Sequence, residues 1–152
     1  MKTAQEWFEL YGVSHQNPVN KLIHWVCIPV IALSTLGLLQ ALPHPFGDSG
    51  LHWGVLAGAA SLWFYGRMSW SLGIGMAAGV GALLGLNHLI AGALPLVATS
   101  LAIFVLAWIA QFVGHKIEGK KPSFFQDLQF LLVGPAWLVQ MLYRGVGLPV
   151  SP

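Results

Sequence analysis

The residues best suited to chemistry lie between Trp108 and Pro122, where a long apolar run ends and a basic stretch begins. Gln111, His115 and Glu118 are spaced four and three residues apart. Residues at these intervals share one face of a helix, so an amide, an imidazole and a carboxylate would form a single stripe. Such a stripe at the edge of an apolar segment predicts a functional site.

A second polar group, made of His15, Asn20 and His24, lies near the N-terminus. Asn17 followed by Pro18 is typical of a helix start, with asparagine as the N-cap and proline at the first helical position. On the helix that follows, Asn20 and His24 are four residues apart and share a face. His15 precedes the cap, so the break in the helix lets the chain fold back and bring it to the same place.

The composition favours an integral membrane protein over a soluble domain. Only 8% of the residues are charged, whereas soluble domains are about 25% charged. Between Leu22 and His115 the only charged side chains are Asp48 and Arg67. A helix needs roughly 20 apolar residues to cross a bilayer, so this window accommodates about four crossings.

We therefore predict an all-α fold, an integral membrane helical bundle in which residues 1–152 form a single domain. Thr3 and Glu6 have capping-box spacing and predict a short interfacial helix. The last apolar segment is interrupted by Gly134-Pro135 and is predicted to be a fifth span, a re-entrant hairpin or an interfacial helix. The predicted segments are an interfacial helix at 1–14, four transmembrane helices at 19–42, 51–67, 70–93 and 95–114, and the apolar segment at 124–144.

The basic residues predict the side of the membrane that each loop faces. They flank one side of the bundle, whereas the loops at 43–50 and 92–95 contain no lysine or arginine. By the positive-inside rule, the N-terminus, the loop at 67–69 and the segment 115–125 face the cytosol. The net charge of +2 reflects this topology and does not predict nucleic-acid binding. The basic residues concerned are Lys2, Lys21, Arg67, Lys116, Lys120 and Lys121.

This topology divides the six histidines between the two sides of the membrane. His15, His24 and His115 fall at the cytosolic boundary, together with the other residues of both polar groups. His44 and His52 fall at the opposite boundary, where we expect ordinary half-solvated side chains.

His88, beside Asn87 in the third span, is a possible additional site residue. Polar groups inside a span are costly and often functional. An interhelical hydrogen bond is a sufficient alternative explanation.

The cytosolic group suits a metal ion. Several imidazoles with at most one carboxylate favour iron(II), with open positions for oxygen and substrate. Histidines with an open position also suit zinc. The alternative is that Glu118 pairs with Lys120 or Lys121 in water and that the histidines only cap helices.

The two polar groups resemble the end motifs of a known family. The first reads His15-x4-Asn20-x3-His24-x4-Pro29, and the second reads Gln111-Phe-Val-Gly114-His115-x2-Glu118-x3-Pro122, followed by Gly134-Pro135. These motifs are similar to those of 2-hydroxy fatty acid dioxygenases, once catalogued as a domain of unknown function. The yeast prototype acts in the endoplasmic reticulum and turns phytosphingosine-derived 2-hydroxy fatty acids into odd-chain fatty acids. The resemblance extends from about Tyr11 to Leu142.

The resemblance implies a membrane enzyme that contains iron(II) and uses O2 to cleave the C1–C2 bond of a long-chain 2-hydroxy fatty acid. The product would be one carbon shorter. The implied iron ligands are His15, His24 and His115. The protein would lie in membrane lipid, in the inner membrane of a bacterium or the endoplasmic-reticulum membrane of a eukaryote, with the site facing the cytosol.

Other polar residues of the two motifs are candidates for catalysis and substrate binding. The candidate catalytic residues are Asn20, Gln111 and Glu118, and Glu118 would be a ligand, an orienting group or a base. The candidates for attracting the substrate carboxylate are Lys116, Lys120 and Lys121, each of which could instead belong to a solvated basic loop.

Other classes of protein compete with this interpretation. The same histidines would serve a hydrolase or a desaturase-like lipid enzyme, but the His-x-x-His-His boxes typical of desaturases are missing. A haem-binding electron carrier would use His24 and His115 as its two axial ligands. A metal-free transporter or scaffold is the remaining alternative, although transporters place their polar groups near the middle of the bilayer rather than at one edge.

Overall fold

The structure is a computed structural model that describes residues 3–47, 49–119 and 124–150, with only the backbone described for 124–129. The described residues form helices and no strands, so the predicted all-α fold is confirmed. The six helices are α1 (Ala4–Gly12), α2 (Pro18–Gln40), α3 (Trp53–Met68), α4 (Trp70–Ala93), α5 (Leu96–Glu118) and α6 (Phe124–Gly145).

The first two helices begin at the predicted caps. Thr3 and Glu6 form a reciprocal capping box at the start of α1. The side chain of Asn17 accepts a hydrogen bond from the backbone N–H of Val19 at 2.9 Å, and Pro18 occupies the first position of α2. The backbone donors that the helix leaves unpaired at its N-terminus are thereby satisfied, which fixes where α2 starts.

Three of the described helices, α2, α4 and α5, are long and apolar enough to cross a membrane. The predicted span at 51–67 corresponds to α3, which has 16 residues. At 1.5 Å per residue α3 is about 24 Å long, shorter than the roughly 30 Å hydrocarbon core. The prediction of four spans is therefore not confirmed. The predicted span at 95–114 continues to Glu118, so the polar stripe is part of α5 itself.

Helix α2 lies at the centre of the bundle and packs against α3, α4 and, most extensively, α5. Glycines let the backbones approach closely. A Cβ on Gly54 would lie 2.8 Å from the Leu36 carbonyl oxygen of α2, and a Cβ on Gly58 would lie 2.9 Å from Val80 of α4. These two glycines have the Gly-xxx-Gly spacing expected of close helix packing in lipid.

Helix α6 is continuous through Gly134-Pro135, so its residues do not form the re-entrant hairpin that was one of the three predicted alternatives. It packs against α1, α2 and α4. Two tyrosines attach it to the bundle. The Tyr65 hydroxyl donates to the Leu132 carbonyl at 2.9 Å, and the Tyr143 hydroxyl donates to the Ser71 carbonyl at 2.8 Å.

The contact of α2 with α4 and α5 gives a test of the packing. Asn87 donates through its side chain to the Leu33 carbonyl at 2.9 Å, and a Cβ on Gly37 would lie 2.7 Å from Asn87 Oδ1 and closer still to Ser100 Oγ. We predict that Gly37→Ala lowers the free energy of unfolding by about 1–3 kcal/mol, because such overpacking displaces buried groups. Denaturant titration in detergent micelles measures the change.

The control is Gly81→Ala on the exposed face of α4, where no described atom lies within 4 Å of the added Cβ. Alanine has the higher helix propensity, so this variant should be unchanged or more stable by up to about 1 kcal/mol. Equal stability changes in the two variants would contradict the packing described for Gly37.

Candidate metal centre

Three buried histidines converge at one end of the bundle. His15 lies in the loop between α1 and α2, His24 lies near the start of α2, and His115 lies in the last turns of α5. Their side chains are 3%, 1% and 7% exposed. One potential ligand atom from each lies within 4.8 Å of the other two. The ring centroids are 4.3 Å apart for His15 and His24, 5.6 Å for His15 and His115, and 5.0 Å for His24 and His115.

Backbone carbonyls orient two of the three rings. His15 Nδ1 lies 2.7 Å from the Tyr11 carbonyl oxygen, and His24 Nδ1 lies 2.9 Å from the Asn20 carbonyl oxygen. A carbonyl oxygen only accepts, so each Nδ1 carries the proton and donates it. Each Nε2 then has a free lone pair. A ligating histidine commonly donates its other ring N–H in this manner, which fixes the tautomer and the direction of the ligand atom.

The environment of His15 keeps its ring neutral. Burial lowers the pKa of His15 to about 4, and the hydrogen bond to the Tyr11 carbonyl opposes this only in part. The ring stacks on Tyr11, with centroids 4.0 Å apart, and Trp137 of α6 lies 5.8 Å away. Metal ligands must be deprotonated, so His15 is in the required form at neutral pH without releasing a proton.

Glu118 holds the loop that carries His15. Its Oε1 accepts from the backbone N–H of Gln16 at 2.8 Å, and its Oε2 accepts from the backbone N–H of Asn17 at 2.9 Å and from Asn20 Nδ2 at 3.0 Å. A carboxylate at the N-terminus of a helix is also favoured by the helix dipole. Because both oxygens are engaged in these bonds, the geometry favours the orienting role for Glu118 over those of ligand or base.

Asn20 belongs to the same set of contacts. Its side chain is fully buried, and Nδ2 also donates to the Ser14 carbonyl at 3.3 Å. Gly114 of α5 permits this arrangement, because a Cβ there would overlap Asn20 Oδ1. Asn20 thus lies next to His24 and Glu118, where α2 and α5 cross. It does not line the cavity that extends from the histidines.

A long apolar cavity extends from the three histidines into the bundle. Its volume is about 500 Å³, within the range of about 300–1,000 Å³ that is usual for small-molecule sites. On α2 it is lined from His24 to Leu39, and the fifteen steps between these two residues rise about 22 Å. The roughly 30 Å hydrocarbon core holds two layers of lipid chains, so one chain spans about 15 Å. The cavity is therefore long enough for an acyl chain.

The remaining sequence-predicted residues differ in their relation to this cavity. Gln111 lines it between Trp108 and His115, and its side chain makes no hydrogen bond with any part of the chain that the structure describes. Lys116 is exposed and outside the lining formed by the described residues. His88 is exposed on α4 and separate from the three-histidine cluster. Lys120 and Lys121 lie outside the described residues.

Sequence reasoning missed the contribution of α1 and α6 to the site. Tyr11 stacks on His15, and Trp137 packs against both rings. Helix α6 lines a large part of the cavity, including Leu132, Pro135 and Leu138. The spacing of four residues between Tyr11 and His15 was an available signal for the first contact. No local pattern identifies the contacts of α6, because they depend on how it packs across the bundle.

The donor set fits a metal ion. Three imidazole nitrogens can reach one point, and His15 Nε2 is buried without a hydrogen-bond partner among the residues that the structure describes. An unpartnered buried nitrogen costs free energy that a bound ion would offset. The described part of the chain is thus all-helical, with three helices able to cross a membrane and three histidines able to hold a metal beside an apolar cavity.

The chain belongs to the family described as 2-hydroxy-palmitic acid dioxygenase Mpo1-like, whose family model matches residues 1–146. This confirms the resemblance found in the two motifs. Searches of curated proteins and of solved structures give no match.

Removing one histidine tests the centre. We predict that His115→Ala reduces the bound metal from about one ion per chain to a small fraction, because two imidazoles cannot retain an ion that three hold. Metal content is measured by mass spectrometry on detergent-purified protein. His44→Ala is the control, since His44 lies in the loop between α2 and α3 and is not part of the cluster. Equal metal content in the two variants would refute the assigned ligands.

Removing Glu118 tests the loop that it holds. We predict that Glu118→Ala weakens metal binding by about 10–100-fold, the usual effect of losing a group that orients a ligand. Competition with a chelator measures the affinity. Glu9→Ala is the matched control, because Glu9 is an exposed carboxylate whose one side-chain hydrogen bond among the described residues is with Gln5 on α1. Unchanged affinity in Glu118→Ala would show that the loop holds His15 without it.

Proposed function

We propose that this protein is an iron(II)-dependent dioxygenase that removes one carbon from long-chain 2-hydroxy fatty acids. The observation that carries the proposal is the three-histidine cluster at the end of a long apolar cavity. Membership of the Mpo1-like family supports the activity. A polar head would meet the histidines while an apolar tail fills the cavity, as the chemistry of a 2-hydroxy fatty acid requires.

The proposed reaction balances with O2 as the only co-substrate. One 2-hydroxy acid and one O2 give the acid that is one carbon shorter, one carbon dioxide and one water. The C1–C2 bond breaks, the hydroxyl-bearing C2 is oxidised to the new carboxyl group, and O2 accepts four electrons. No separate reductant is needed.

The residues around the cavity would have different roles in the proposed reaction. His15, His24 and His115 would hold iron through a ring nitrogen each, and the bound iron would supply the oxygen chemistry. Gln111 lines the cavity and makes no side-chain hydrogen bond among the described residues, and in this proposal it would donate one to a substrate oxygen. Asn20 and Glu118 act only through other residues and are positioning residues in this proposal.

The proposal includes a single membrane domain with four crossings. His24 near the start of α2 and His115 near the end of α5 are in contact, so these two ends lie at the same level. An even number of crossings must separate them, which supports a crossing by α3 despite its length. Arg67 at the end of α3 would then lie on the same side as Lys21 and Lys116, and the positive-inside rule favours the cytosol for that side.

The membrane setting completes the proposal. The protein would be multi-pass in a bacterial inner membrane or an endoplasmic-reticulum membrane, surrounded by lipid that also supplies the substrate. Lys116 would attract the substrate carboxylate towards the membrane boundary, together with Lys120 and Lys121.

Zinc is the second candidate metal, because three histidines with an open position are also a catalytic zinc site. Such a site would suit hydrolysis rather than oxidation. The haem alternative is disfavoured by geometry, since the rings of His24 and His115 are only 5.0 Å apart and nearly perpendicular. That separation leaves no room for a porphyrin between them.

Turnover by purified protein tests the activity. We predict about one iron per chain after anaerobic purification, no haem absorption band, and O2-dependent conversion of a long-chain 2-hydroxy acid to the acid one carbon shorter, followed by mass spectrometry. Iron-loaded protein that gives no shortened acid would refute the activity, and retention of zinc in place of iron would redirect the test to hydrolysis.

Gln111 gives a finer test of the same site. We predict that Gln111→Ala keeps its iron but loses about 10–100-fold in kcat/KM, the effect of removing one hydrogen bond to a charged group. The control is Gln5→Ala on the exposed surface of α1. Equal kcat/KM in native protein and Gln111→Ala would exclude a role for this amide in substrate binding.

A further inference from the structure

One side of the cavity has an edge that the described residues leave exposed. Pro29 of α2 and Gly79 and Ala82 of α4 all line the cavity, and all three are exposed. An exposed residue that lines a cavity indicates either that the cavity is wide or that it opens to the outside of the protein. The exposure of the neighbouring residues on each helix distinguishes these two cases.

On α4 the exposed lining residues belong to an outward face. Gly75, Gly79, Ala82 and Leu86 follow at intervals of four, three and four, so they share one face of the helix. Leu86 is 44% exposed and does not line the cavity, so this face points away from the bundle. Helix α6 covers the face at Gly75, where a Cβ would lie 2.9 Å from Val139, but no described atom lies within 4 Å of a Cβ on Gly79.

On α2 the exposed lining residue also lies next to an outward face of the helix. Leu22, Val26 and Pro29 follow at intervals of four and three and share a face. Leu22 and Val26 are 65% and 59% exposed and lie outside the cavity lining. Pro29 is therefore at the edge of the lining, next to an outward apolar face. Both helices therefore present an outward face beside the cavity, and the gap lies between these two faces.

The depth of the gap determines what it faces. Pro29 lies eight residues beyond Lys21, and Gly79 lies nine residues beyond Trp70. At 1.5 Å per residue these are about 12 and 14 Å from the charged or aromatic end of each helix, close to the middle of a hydrocarbon core of roughly 30 Å. The gap faces lipid chains in a bilayer, and water would not reach it.

We infer that Pro29, Gly79 and Ala82 form a lateral portal through which the acyl chain of a membrane-dissolved long-chain acid enters the cavity from the bilayer. The occupant follows from three observations: the cavity wall is apolar, it is long enough for one lipid chain, and its gap opens at the depth where such chains lie. The inference deepens the proposed function by identifying a bilayer-held acid, rather than a short water-soluble one, as the substrate form.

Photocrosslinking in lipid vesicles tests the portal without turnover. The probe is a long-chain fatty acid with a diazirine near its methyl end, added to metal-free protein, and adducts are mapped by mass spectrometry. Ile31 and Met76 report entry, because they line the cavity and are only 3% and 7% exposed. Leu86 reports contact with bulk lipid. In the native chain we expect adducts at all three positions.

Two variants close the portal and one serves as the control. In Gly79→Phe and in Ala82→Phe we expect loss of the adducts at Ile31 and Met76 with the adduct at Leu86 retained. Gly85→Phe places the same side chain on α4 at an exposed position outside the cavity lining, and it should keep all three adducts. The melting temperature of each variant verifies folding, and two portal positions guard against the failure of one.

The possible outcomes separate the portal from the proposed activity. Adducts at Ile31 and Met76 that persist in both portal variants, or that are missing from the native chain, would overturn the portal. Adducts that depend on Gly79 and Ala82 in a protein that never shortens a 2-hydroxy acid would keep the portal and refute the dioxygenase proposal.

Discussion

The site depends on one carboxylate that joins the end of α5 to the start of α2. Glu118 accepts three hydrogen bonds from Gln16, Asn17 and Asn20. Two of these donors are the backbone N–H groups of the two residues that follow His15. The third belongs to Asn20, the residue whose carbonyl orients His24. A single side chain on α5 therefore fixes the loop that holds one histidine and the helix turn that holds another, while His115 lies three residues away on the same helix.

This arrangement places polar groups where the bundle can satisfy them. At the start of α2 the chain offers unpaired backbone donors, and a charged acceptor there forms hydrogen bonds stronger than neutral ones. The close approach of α2 and α5 also requires a residue without a side chain at Gly114, because Asn20 occupies that space. Removal of the carboxylate would take the acceptor from the part-buried donors of Asn17 and Asn20, and a desolvated donor left unpaired costs more than the loss of the bond alone.

Much of the helical framework was accessible from the sequence. The capping patterns at Thr3 and Asn17 determine their helix starts locally, and the three histidines were grouped correctly from topology and spacing. The span at 51–67 was predicted from its apolar composition, but α3 has only 16 residues and is shorter than the hydrocarbon core, so this crossing is not confirmed. The role of α6 could not be predicted, because it rests on contacts such as that of Tyr65 with Leu132, which are 67 residues apart.

The cavity is lined by the apolar residues that dominate the chain, but the small residues determine where the helices pack closely and where they leave space. Gly54 and Gly58 bring α3 tightly onto α2 and α4, whereas Gly79 and Ala82 leave a gap in the wall of α4. Small residues thus allow a close contact where a neighbouring helix covers their face and leave a gap where no described helix does. Helix α6 covers α4 at Gly75, whereas no described atom lies within 4 Å of a Cβ on Gly79. The cavity is therefore enclosed near the three histidines and open beyond the end of the α6 contact, where a lipid chain can enter it.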